Sequence, residues 1–116
     1  MELLIHDLFD SSEAKEILDS VIADSSSWVD GRETAGSHAA IGKNNLQLKR
    51  SSNTSKVQTQ KIIEKMNSDL LIKSFTLPKS IHGLMFSATK TGMGYDFHVD
   101  NAYMSSGCSD LSFTLF

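Results

Sequence analysis

Cysteine is almost absent: Cys108 stands alone, so the chain has no internal disulfide, and no Cys/His company surrounds it of the kind a zinc site needs. That scarcity fits a reducing compartment, and a cytoplasmic location is expected. One proline and seven glycines exclude collagen-like and low-complexity architectures. Positive charge is also in deficit, with 11 Lys and Arg against 14 Asp and Glu and a net charge of −3, so no basic stripe is available to neutralise phosphates and no nucleic-acid partner is expected. No apolar run approaches the ~18 residues of a membrane span, and Met1–Asp7 places an acid second and turns polar by its sixth residue, so neither a membrane segment nor a signal peptide is expected. What remains is a composition 40% hydrophobic and 22% charged over 116 residues, enough for one globular core.

Leu3–Leu4–Ile5 and Leu8–Phe9 read as a short strand-like segment. Asp10–Ser11–Ser12–Glu13 has capping-box spacing and predicts a helix from there to about Asp24, with Ile17, Leu18, Val21 and Ile22 as its core stripe. Trp28 is expected in the core, and Trp28–Arg32 as the start of a turn; the Gly- and Ala-rich stretch to Gly42, with His38 inside it, reads as a structured loop or irregular strand. Lys43–Leu48 is short and polar, and Lys49–Ser55 reads as a solvated linker. A second amphipathic helix is predicted from about Ser55, with Val57, Ile62, Ile63, Met66, Leu70 and Leu71 on its apolar face and Gln58, Lys61, Glu64 and Lys65 opposite. Strand patterns follow at Gly83–Thr89, Tyr95–Asn101 and Asp110–Phe116, separated by a glycine loop at Thr91–Gly94. Helices first and strands afterwards predict an α+β fold, with N-terminal helices packed on a mostly antiparallel sheet.

Phe97–His98–Val99–Asp100 carries the one constellation that reads as chemistry. On a strand, His98 and Asp100 share a face and can converge on one metal ion, while Tyr95 is expected on the opposite face with Phe97 and is open to two readings, lining the pocket by its hydroxyl or simple packing. An imidazole and a carboxylate completed by a second imidazole form the facial triad of non-haem ferrous oxygenases. The bare tripeptide is weak: four histidines and 14 acids give about 0.5 chance matches in a chain of this length. The alternative reading is a surface pair or a histidine satisfied by its neighbour. His6, His38 and His82 are expected in ordinary structural or surface roles, and Cys108 has no neighbour that would make it reactive. Asn44, Asn45 and Gln47 are open to two readings, substrate orientation or satisfaction of loop backbone.

The wider string Gly92–Met93–Gly94–Tyr95–Asp96–Phe97–His98–Val99–Asp100–Asn101–Ala102, followed by Ser109–Phe116, resembles the PKHD-type hydroxylases, iron(II)- and 2-oxoglutarate-dependent dioxygenases related to prolyl 4-hydroxylase. Trp28–Arg32, Thr34–Ala35–Gly36 and Lys43–Gln47 extend the resemblance in order and approximate spacing over nearly the whole chain. The resemblance implies that His98 and Asp100 are metal ligands, with Fe(II) as cofactor, 2-oxoglutarate and dioxygen as co-substrates, and L-ascorbate as an accessory reductant. It also implies the first half of a double-stranded β-helix (jelly-roll) core, with a helical part over residues 1–78 and first core strands over 79–116. The family's distal His ligand and 2-oxoglutarate-binding Arg have no counterpart here, so the resemblance implies a truncated domain inactive by itself, whose alternating Asp110–Phe116 ending is a cut through the sheet. Departures at Ala88, Thr89 and Cys108 leave a non-catalytic binding module as the alternative function. The primary substrate is not assigned.

Overall fold

The first helix, α1 (Ser11–Ala23), begins where its cap dictates, in the computed structural model, which describes residues 3–34 and 40–116. Asp10 Oδ1 accepts from the Glu13 backbone N–H at 2.8 Å and Glu13 Oε2 accepts from the Asp10 N–H at 3.3 Å, closing the capping box. The buried stripe is narrower than expected: Val21 is buried and Ile17 packs against the core, but Leu18 and Ile22 face solvent. Residues 3–9 form no strand. Leu8 instead enters the core with Leu4 and Phe9 packed beside it, and His6 Nε2 meets Asp69 Oδ2 at 2.8 Å.

The core gathers Leu8, Ile62, Met66 and Ile72. Two of these come from α2 (Asn53–Ser68), whose start corrects the linker expected over Lys49–Ser55. Ser52 Oγ accepts from the Ser55 N–H at 3.0 Å, and Ser55 is buried. The expected helix also does not run through to Leu71. Asp69 ends it and caps a separate helix, α3 (Leu70–Thr76), by accepting from the Ile72 N–H at 2.9 Å. Turning the chain there buries Ile72 while Leu70 and Leu71 stay exposed, and α3 stops at Leu77, held at φ 46° immediately before Pro78. Lys61–Glu16 and Lys65–Glu13 ion pairs, both 3.4 Å, span α1 and α2.

The sheets are small and antiparallel. β1 (Trp28–Asp30) pairs with β3 (Leu46–Leu48) in the register Trp28 with Leu48 and Asp30 with Leu46; β3 pairs on its other edge with β4 (Ser87–Ala88). Trp28–Arg32 is therefore a strand leading into a 3₁₀ turn (Gly31–Thr34), not only a turn. Trp28 is half-buried, with its indole N–H donated to the Val21 carbonyl at 3.1 Å. Gly31 is required by close approach, because a Cβ there would lie 1.8 Å from Asn45 Oδ1, and the Gly31 N–H donates to the Asn45 carbonyl at 2.8 Å. A second ladder joins β2 (Lys43–Asn44) to β5 (Gly94–Tyr95), and β6 (Tyr103–Met104) closes a hairpin with β7 (Gly107–Cys108).

The α+β class and antiparallel pairing match the sequence reading. The long strands expected over Tyr95–Asn101 and Asp110–Phe116 do not form: pairing covers only Tyr95 of the first and none of the second. Phe97, Val99, Leu111, Phe113, Leu115 and Phe116 are exposed, and no described strand lies beside them to extend a ladder. No described helix is long and apolar enough to cross a membrane.

Candidate metal centre

The site is assembled around the β2–β5 ladder, where Lys43 stands opposite Tyr95. A tight turn delivers β5: the Met93 N–H donates to the Lys90 carbonyl at 2.9 Å, and Gly92 takes φ 82°, as the third position of a type II turn requires. Directly after β5, the Asp96 N–H donates to the Gly42 carbonyl at 2.9 Å. The Asp96 side chain lies against Gly42, 2.6 Å from where a Cβ would be. Gly42 thus admits Asp96, and Asp96 fixes the backbone that precedes the His-x-Asp motif.

His98 and Asp100 come together, though not through a strand. His98 Nε2 lies 3.3 Å from Asp100 Oδ1 in a non-strand segment, replacing the shared strand face expected for the pair. On its other side, His98 Nδ1 lies 2.8 Å from the Asp96 carbonyl oxygen. A carbonyl only accepts, so Nδ1 carries the proton and Nε2 of the neutral ring presents a lone pair toward a carboxylate. Two acceptors at that separation are reconciled by a second ring proton or by a cation between them. Two donors 3.3 Å apart subtend about 100° at an ion bound about 2.1 Å from each, close to the angle between neighbouring ligands of a small cation. The chemistry and spacing of this pair fit a divalent transition metal and would supply two of its ligands.

The side chain of His98 is 34% exposed and that of Asp100 70%, so an ion has access from solvent. The expectation that Tyr95 faces away from His98 is overturned: the two rings are stacked, with centroids 3.8 Å apart and an interplanar angle of 19°. Strand alternation stops at Tyr95, and the bend at Phe97 returns His98 over the ring. The Lys43 ammonium lies 5.0 Å from the same ring's centroid. Lys43 is only 5% exposed, and burial pulls its pKa below the ordinary lysine value.

Of the other residues singled out in the sequence, Asn45 and Gln47 are buried on the same alternating face as Lys43, whereas Asn44 is exposed. The Lys43, Asn45, Gln47 alternation was the available signal that this polar stretch turns its polar side inward. His6 pairs with Asp69 at 2.8 Å, and His82 Nδ1 meets Ser106 Oγ at 3.0 Å. Cys108 is exposed on β7. Ala35, Gly36 and His38 lie outside the described residues. Among those described, no group of three or more His, Cys, Asp or Glu side chains is placed to hold a metal.

Comparison with known proteins gives a consistent result along the whole chain. A PKHD-type hydroxylase of Prochlorococcus marinus strain MIT 9303 is 60% identical over 116 residues, covering 100% of this chain and 52% of the relative. Proteins of the same name from strains MIT 9211 and MIT 9313 are 54% and 56% identical over the same 116 residues, again covering 52% of each relative. The chain therefore spans about half the length of the curated relatives it matches. No family model and no solved structure matches it. Over all of its residues the chain is thus similar to proteins named PKHD-type hydroxylase.

Proposed function

We propose that this chain carries part of the catalytic centre of an Fe(II)- and 2-oxoglutarate-dependent dioxygenase, with His98 and Asp100 as two ligands of a facial triad. The observation that carries this reading is the His98 geometry: Nδ1 tied to the Asp96 carbonyl at 2.8 Å while Nε2 faces Asp100 Oδ1 at 3.3 Å. Ferrous iron with 2-oxoglutarate and dioxygen would supply the oxidising chemistry that hydroxylates a substrate C–H bond and releases succinate and carbon dioxide. The chain's own part is to hold the imidazole in one tautomer, keep the carboxylate beside it and leave the remaining positions of the ion open. Residues 1–116 then form one domain portion. The helices supply a supporting layer, and the short ladders, including β1–β3 within residues 1–78, belong to the first part of a jelly-roll core. The family name of the relatives supports the hydroxylase class; the substrate is left unassigned.

The test is turnover by the full-length gene product, measured as succinate release with Fe(II), 2-oxoglutarate and oxygen. His98→Ala or Asp100→Ala should abolish iron-dependent release. A full-length protein that releases no succinate above the iron-free background would sink the enzyme reading and leave a binding module in its place.

A further inference from the structure

Resting on that metal-centre reading, we infer that Tyr95 is a positioning residue, whose ring, stacked on His98, sets the direction in which Nε2 faces the metal. A histidine ligand has two ways to be misaimed: rotation about its Cα–Cβ bond and flipping of the ring. The Nδ1–H···O=C bond to Asp96 selects the tautomer and opposes the flip, since a flipped ring would present carbon to the carbonyl. One hydrogen bond still allows the imidazole to swing about it. The Tyr95 ring, 3.8 Å away and within 19° of parallel, closes off that swing on one face. Such a restraint matters here because His98 lies in a non-strand segment with exposed neighbours Phe97 and Val99, so no ladder holds it.

Tyr95 is itself anchored. It sits on β5 opposite Lys43, and the Lys43 ammonium lies 5.0 Å from its ring centroid. Asp96 belongs to the same structure through its N–H bond to Gly42. The β2–β5 ladder thus supplies both restraints on the imidazole, the ring from Tyr95 and the acceptor from Asp96, at consecutive positions. The ring carries the effect, so the phenolic hydroxyl is dispensable for it.

The experiment is Co(II) titration of the full-length protein, reading affinity and the visible Co(II) absorption band for wild type, Tyr95→Phe, Tyr95→Leu and His98→Ala. Loss of an outer partner of a metal-bound histidine weakens binding about 10- to 100-fold. Tyr95→Leu should therefore bind Co(II) at least about 10-fold more weakly with a displaced band, and Tyr95→Phe should restore both to the wild-type values. Wild-type affinity and band in Tyr95→Leu, alongside lost binding in His98→Ala, would overturn the inference while leaving the metal site standing. Wild-type binding by His98→Ala would overturn the site itself. If Tyr95→Leu does not fold, the Tyr95→Phe result still decides, because loss of affinity without the hydroxyl contradicts a role carried by the ring. Nuclear Overhauser contacts between the Tyr95 and His98 ring protons in metal-free wild type provide a second check, and their absence would also overturn it.

Discussion

Asp30 and Gly31 show how single residues of the Trp28–Arg32 string act through their immediate neighbours. The Arg32 guanidinium donates to both Asp30 carboxylate oxygens, with Nε 3.0 Å from each, and holds that carboxyl well below its usual range, at about 2. A carboxylate depressed on folding contributes stability above its unfolded value near 3.8, and that contribution is lost as pH falls toward about 2. Arg32→Leu should return the Asp30 titration toward 3.8, read by carboxyl carbon NMR; an unchanged midpoint would show that the ion pair does not set it. Gly31→Ala is expected to cost about 1–3 kcal/mol, because the new methyl would meet Asn45 Oδ1, buried with no hydrogen-bond partner and tight against the glycine. The Tm measures this, and an unchanged Tm would mean that Asn45 moves aside freely.

Among the elements, the helices stand on two kinds of support, caps and a shared core. Ile62 is 3% exposed at the centre of the α2 contribution, so Ile62→Ala should lower stability by about 2–5 kcal/mol, and Val57→Ala on the exposed side of the same helix by much less. Comparable losses in the two variants, measured by denaturant unfolding, would contradict the assigned core face. Asp69 both caps α3 and accepts from His6, and these bonds lower its pKa, the His6 bond first and the Ile72 N–H second. The support it gives α3 is therefore present above pH 3.8 and fades as pH falls below that value. Sequence alone was enough for α1, because its capping box is local chemistry between residues three apart. It was not enough at Asp69, where a break is decided by how the following turn must bury Ile72. Nor was it enough in the C-terminal part, where apolar alternation predicted strands that require a partner ladder to exist. In Lys43–Leu48 the two readings of the amides could not be decided from the sequence: Lys43, Asn45, Gln47 and Leu48 are buried and Asn44 is exposed, and burial of polar groups depends on what the rest of the fold brings to them. At the candidate metal centre the His-x-Asp pair was legible as a motif, but the Tyr95 stack was not, because it depends on a bend at Phe97 that period-two reasoning does not contain.

The whole molecule is less tightly drawn in than its length permits, with a radius of gyration of 14.8 Å against about 13 Å for a compact domain of this size. Apolar side chains around and after the candidate ligands, Phe97, Val99, Leu111, Phe113, Leu115 and Phe116, are exposed. This 116-residue chain alone should therefore self-associate and bind hydrophobic dyes. A monomer that shows a cooperative thermal transition and no dye binding would contradict that expectation. At this scale the candidate centre is a meeting of distant segments: Gly42 and Lys43 from the middle of the chain hold the backbone of Tyr95 and Asp96, which in turn aim His98 at Asp100. The most direct test of the account is anaerobic Fe(II) titration of the full-length protein and its His98→Ala and Asp100→Ala variants, with helix content followed in parallel. The account predicts one ion bound by the wild type and binding lost in each variant at unchanged helix content. Wild-type iron affinity in either variant would contradict it.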